Sequence, residues 1–146
     1  MSLFKTCDWW EHSGSDNGPY DVTCLVVDSL AGEGEEQHMQ VVLVSMAGLV
    51  QIYQPTHREA RAEDLLLEQD LGLPVAQVDS GLLVAGQPGR QLAVLHPRKL
   101  SVYQLSRRQG SGSQGDSYVL TLAYQHTLLR WVVTSSTIQG YNHCLC

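Results

Sequence analysis

The stretch Val41–Gln54, VVLVSMAGLVQIYQ, holds an apolar run that breaks at Ala47-Gly48. A second run follows, in which Val50 and Ile52 alternate with Gln51 and Tyr53. Alternation on a period of two, interrupted by a Gly-containing turn, predicts a β-hairpin. A lone hairpin is marginally stable in water, so this one requires something to pack on. The rest of the chain supplies it.

Fifty residues along from Val42 the sequence reads LAVLHPRKLSVYQL, Leu92–Leu105. The two passages align without a gap. Val42, Val44, Val50, Ile52, Tyr53 and Gln54 fall on Leu92, Val94, Leu100, Val102, Tyr103 and Gln104, and Ala47-Gly48 falls on Pro97-Arg98. The flanks echo each other too. VTCLVVDSL (Val22–Leu30) precedes the first hairpin and PVAQVDSGLLV (Pro74–Val84) the second, each with a Val-Asp-Ser tripeptide. EDLLLEQDL (Glu63–Leu71) follows the first and DSYVLTLAYQH (Asp116–His126) the second. Each unit therefore reads as four up-and-down strands with a period of about 50 residues, a propeller blade. The Ala, Glu and Leu content of Arg61–Leu71 also suits a short helix, but its place in the outer-strand slot favours a strand.

Between these units lie loops: AGEGEEQH (Ala31–His38), PTHREARA (Pro55–Ala62) and the Ser/Gly-rich SRRQGSGSQG (Ser106–Gly115). The expected fold is all-β, an incomplete β-propeller of about two four-stranded antiparallel blades plus an irregular tail. Two blades leave one face of each without a neighbour, whereas closed propellers have ~4–8.

Composition narrows the function classes. The chain has 146 residues, 43% of them hydrophobic, enough for one folded domain. A net charge of -6 argues against a nucleic-acid surface. No stretch approaches the ~20 apolar residues of a membrane helix. The start, MSLFKTCDWW, lacks a secretory signal pattern, so the expected location is intracellular. Cys7, Cys24, Cys144 and Cys146 form no dense framework, and free thiols are the default in a reducing compartment.

The search for chemistry returns little. His143, Cys144 and Cys146 in NHCLC offer soft ligands, but Cys7 and Cys24 lack the spacing that would complete a zinc site. His12, His38 and His57 lie in polar loops, His96 at a turn and His126 at a strand end. No Ser lies in a GxSxG elbow, GEGEE lacks a phosphate loop's spacing and Lys, and DSLAGEGEE lacks calcium-loop spacing. The expectation is no catalytic residue, no cofactor and no metal. Trp9 and Trp10 suit either an aromatic anchor for a partner or a packing segment at the propeller rim, and packing is favoured. Arg107-Arg108, read in the Ser/Gly loop, make a weak case for acidic lipid against a solvated loop.

Four stretches carry a family likeness: MSLFKTCDWWE at the start, AEDLLLEQDLGLPVAQV (Ala62–Val78), LAVLHPRKLSVYQL (Leu92–Leu105) and LAYQHTL (Leu122–Leu128). They resemble the N-terminus of the Bardet–Biedl syndrome 9 family, also called parathyroid hormone-responsive proteins. The resemblance implies a non-enzymatic scaffold subunit of the BBSome that acts by protein–protein contact in ciliary membrane-protein trafficking and ciliogenesis. It implies other BBSome subunits as partners, with membrane contact only through the complex. It implies a location in the cytoplasm, at centriolar satellites and in the cilium. The likeness covers residues 1–128, the first blades. From Leu129 the text LRWVVTSSTIQGYNHCLC departs from it, so residues 129–146 read as a divergent, poorly ordered tail. Two other readings remain: a truncated isoform or gene-model product without independent function, and, from another class, a small metal-binding or hydrolytic protein.

Overall fold

The computed structural model describes residues 9–13, 18–31, 38–57, 59–110 and 117–130. These residues build eight strands: β1 (Leu25–Asp28), β2 (Gln40–Val44), β3 (Leu49–Tyr53), β4 (Leu65–Asp70), β5 (Gln77–Gly81), β6 (Gln91–His96), β7 (Lys99–Arg108) and β8 (Ser117–Thr127). They form two four-stranded antiparallel sheets in the orders β1-β2-β3-β4 and β5-β6-β7-β8. The fold is all-β, with two short 3-10 turns, Val22–Cys24 and Ala62–Asp64, ahead of β1 and β4. The two sheets are two blades of an incomplete propeller. Arg61–Leu71, where a helix was an alternative, is strand from Leu65.

One core joins the sheets. Val42, Val44, Val50 and Ile52 of the first pack with Val78, Leu92, Val94, Leu105 and Leu120 of the second. β-branched side chains dominate this seam because they suit a pleated, half-buried surface. Polar contacts lock the seam at its edge. The Asp28 carboxylate, at the end of β1, accepts hydrogen bonds from Ser80 Oγ and Arg90 Nε. Thr23 Oγ1 donates to the Ala76 carbonyl at 3.2 Å. Burial by itself would raise the Asp28 pKa, but the bonds from Ser80, the Ser29 N–H and Arg90 outweigh it and hold the carboxyl below its ordinary range.

The ladders correct the ungapped alignment in three ways. First, the hairpin turns differ in length. Ser45 N–H donates to the Leu49 carbonyl across Met46, Ala47 and Gly48, whereas His96 pairs with Lys99 across Pro97 and Arg98 alone. Val41 pairs with Tyr53 and Leu92 with Tyr103, so β2 and β6 correspond at 51 residues while β3 and β7 correspond at 50. Second, the Val-Asp-Ser tripeptides are out of register. Asp28 pairs with Gln40 and Gly81 with Gln91, so Gly81 stands where Asp28 does, and Asp79 lies two residues earlier, opposite Ala93. Third, β7 runs on to Arg108 and pairs along its length with β8. Arg107 and Arg108 are therefore strand residues rather than loop, and Gln104 is mid-strand.

Two details repeat more faithfully than the tripeptide. A β-bulge interrupts the outer ladder opposite Ile52/Tyr53 in one sheet and opposite Val102/Tyr103 in the other. The extra residue is Leu66 in β4 and Ala123 in β8, and a bulge at this point sharpens the twist of the outer strand. A buried glutamine also recurs. Gln40 Oε1 accepts from the Leu30 N–H at 2.7 Å and the Ala31 N–H at 3.4 Å, and Gln91 Oε1 accepts from the Leu83 N–H at 2.7 Å and the Val84 N–H at 3.3 Å. Their amide nitrogens donate to Gln54 and Gln104 respectively. Each glutamine thus gives partners to backbone amides that have just left the inner strand.

Candidate functional site

The two sheets present a single seam and two outward faces, and the outward face of the first is partly covered. On it lie Leu25, Val27, Val41, Leu43, Gln51 and Tyr53, opposite in alternation to the seam residues. The segment before β1 crosses the Tyr53 end. Trp10 and His12 stack with ring centroids 5.5 Å apart and 10° between planes, and both lie against Tyr53, at 5.4 and 4.8 Å. Tyr53 Oη lies 3.3 Å from His12 Nε2, and Tyr20 Oη donates to Gln51 Oε1 at 3.3 Å. Burial, with Tyr20 and Glu68 adding to it, raises the Tyr53 pKa. The first tryptophan is therefore not part of this cap: Trp9 is 55% exposed while Trp10 packs. The cap leaves Leu25 46% and Val27 44% exposed.

Asp64 anchors the loop next to the cap. It is buried, and its Oδ1 accepts from Thr56 Oγ1 at 2.6 Å and the Thr56 N–H at 3.2 Å, while Oδ2 accepts from the Arg61 N–H at 3.0 Å. The Thr56 hydroxyl leads the effects that hold its carboxyl below the ordinary range, against the pull of burial. The indole N–H of Trp10 is buried without a hydrogen-bond partner of good geometry, close enough to Asp64 to add to that lowering.

The remaining sequence candidates are scattered. His57 Nδ1 lies 2.9 Å from Thr56 Oγ1. His96 is buried at the end of β6, not at an open turn, and its Nδ1–H donates to the Pro74 carbonyl at 2.8 Å while Nε2 has no partner. His126 is an exposed residue of β8. Cys24 is a buried free thiol whose pKa burial raises. Among the described residues no three His, Cys, Asp or Glu side chains gather as a metal site. Cys7, His143, Cys144 and Cys146 lie outside the described residues. A hollow of about 550 Å³ opens at the rim of the seam, beside Leu30, Pro88, Ser106 and Arg107. No helix among the described residues is long and apolar enough to cross a membrane. Sequence reasoning named His96 without its burial and passed over Asp64, since burial and loop anchoring leave no periodic signal.

A model of the PTHB1 N-terminal family matches residues 1–145. The chain belongs to this family. The match runs past Leu128, through the stretch read as a tail. Protein PTHB1 of Xenopus laevis is 40% identical over 134 residues, which is 89% of this chain and 16% of that protein. The human protein of the same name is 40% identical over 134 residues, and the mouse protein 39%, each again over 89% of this chain and 15% of the relative. The chain thus spans less than a fifth of the curated relatives it matches.

Proposed function

We propose that this chain supplies the first two blades of a β-propeller in a non-enzymatic scaffold subunit of the BBSome. It acts there by protein–protein contact, in ciliary membrane-protein trafficking and ciliogenesis. Membership of the PTHB1 N-terminal family carries the reading. The fold agrees with it: two successive blades share one apolar seam. In this reading residues 1–128 are blade and residues 129–146 a separate tail. The partners are other BBSome subunits, and the location is the cytoplasm, centriolar satellites and cilium. Contact with membrane runs through the complex.

The test is recovery from ciliated cells that lack the full-length relative. Tagged chain is precipitated and the BBSome subunits in the precipitate are measured, with assembly scored by co-sedimentation. The expected result is capture of at least one subunit without restored assembly, because binding energy concentrates in preorganised anchors and most of the relative's length is missing. A folded chain that captures no subunit overturns the reading.

A further inference from the structure

A further hollow, of about 540 Å³, opens where the β6–β7 turn meets the linker between the two sheets. Leu73, Pro74 and Pro97 give it an apolar lining, and His96, Arg98, Lys99 and Thr127 complete it. Each of these residues belongs to the linker, to the turn or to a strand end. A seam between blades is made of sheet faces, so this hollow is not part of one.

Three observations define the chemistry it would take. First, His96 is 2% exposed, and its Nδ1–H donates to the Pro74 carbonyl at 2.8 Å. A carbonyl only accepts, so the proton sits on Nδ1 and the neutral ring presents a lone pair at Nε2. That nitrogen is buried without a partner. A buried acceptor without a donor is costly, and a ligand that supplies an O–H or N–H relieves that cost. Second, Arg98 is exposed and Lys99 half-buried, and no carboxylate lines the hollow. Among the described residues neither cation pairs with an acid. Third, two prolines and Leu73, itself 37% exposed, offer apolar surface to a flat ring.

We propose that this hollow binds a tyrosine side chain flanked by acidic residues, on an exposed segment of a partner protein. The ring lies against Leu73 and the two prolines, its hydroxyl donates to His96 Nε2, and the flanking carboxylates meet Arg98 and Lys99. Tyrosine fits because it joins an apolar body to a polar tip, whereas a wholly apolar side chain would leave Nε2 without a donor. The flanks are acidic by charge complementarity. The volume lies within the ~300–1,000 Å³ of ligand pockets. The inference deepens the scaffold reading by naming a contact surface. Its test uses no BBSome subunit, so either can fail while the other stands.

The experiment is a titration of the full chain with capped peptides in which Glu flanks a central Tyr, followed by the NMR amide shifts of Arg98, Lys99 and Thr127. Binding is expected in the micromolar to millimolar range and is expected to weaken as salt is added. The Phe analogue is expected to bind roughly fivefold less tightly, through loss of one hydrogen bond. His96→Asn isolates that bond, because the Asn amide can still donate to the Pro74 carbonyl while Nε2 is gone. This variant is expected to bind the Tyr and Phe peptides equally. Arg98→Glu, at an exposed turn position, is expected to weaken the Glu-flanked peptide and to favour a Lys-flanked one, and it decides the matter if the Asn variant fails to fold. No shift at millimolar peptide overturns the proposal. So does a Tyr preference that survives in folded His96→Asn, or equal binding of the Glu-flanked and Lys-flanked peptides by the unaltered chain. Binding to phosphatidylserine vesicles but to none of the peptides also overturns it, and assigns the two cations to a membrane surface.

Discussion

Gly48 and Leu73 approach so closely that no side chain fits between them. A Cβ on Gly48 would fall inside the Leu73 carbonyl oxygen, and the Gly48 φ of +110° is one that L side chains rarely adopt. The approach is held in place: Leu71 N–H donates to the Gly48 carbonyl at 2.9 Å and Val75 N–H to the Met46 carbonyl at 3.0 Å. The hairpin turn thus docks on the linker between the two sheets. Gly48→Ala is expected to destabilise the fold by about 2 kcal/mol or more, through both strain and the clash. Denaturant midpoints of the two proteins check it. An unchanged midpoint would show that the turn does not dock as described.

Val94→Asp is expected to cost far more than Gln104→Asp. Val94 has no exposed surface and sits in the shared core, where an unpaired carboxylate costs several kcal/mol, on the order of 3 to 5. Gln104 is half-buried, and its substitution mainly loses the 3.1 Å bond from Gln91, worth about 1 kcal/mol. Soluble yield and thermal midpoint separate the two. Equal losses would contradict the assignment of the seam.

Acid should loosen the loop that Asp64 anchors. Its folded pKa is lowered, chiefly by the Thr56 hydroxyl, so the unfolded chain takes up the proton first as pH falls. The stabilisation is complete above the unfolded value of about 3.9 and is lost as pH drops through the lower folded value. Asp28, also lowered on balance, adds to the same acid-side loss. Asp64→Asn is expected to flatten the dependence of stability on pH below about 4, measured by denaturation at fixed pH steps. An identical slope in the variant would remove Asp64 from this role.

Gln91→Leu tests the buried glutamines. Leu keeps the bulk but leaves the Leu83 and Val84 N–H groups, and the Gln104 amide oxygen, without their partner. An orphaned buried donor costs about 1–3 kcal/mol, so a loss of that size in unfolding free energy is expected. A neutral substitution would mean that water replaces the side chain freely.

The sequence shows the hairpins, the outer strands and the two-blade order because apolar alternation and turn residues are local signals. Val42, Val44, Val50 and Ile52 betray their face by spacing alone. What stayed hidden is register. One extra residue in the first turn shifts β2 against β6, and no period reports a single inserted residue. The Val-Asp-Ser tripeptides looked equivalent because spacing does not report that Asp28 stands twelve residues before its partner Gln40 and Gly81 only ten before Gln91, although Asp28 bridges the sheets and Asp79 does not. Arg107 and Arg108 looked like linker because they are polar and adjoin a Ser/Gly-rich run, although they pair with Tyr118 and Ser117 of β8. The Trp10–His12–Tyr53 cap joins residues some forty positions apart, which pairwise chemistry permits and sequence order conceals.

The glutamines also reshape the map of local opening. Amides normally exchange with solvent quickly once the chain leaves a strand, yet Leu30 and Leu83 leave theirs only to meet the oxygens of Gln40 and Gln91. Both oxygens belong to buried side chains rooted in the second strand of their sheet. Deuterium uptake at these two loop amides should therefore track the slow opening of β2 and β6 rather than the fast fraying of the loops around them. The cooperative unit of each blade extends past its last ladder bond, as far as one side chain can reach.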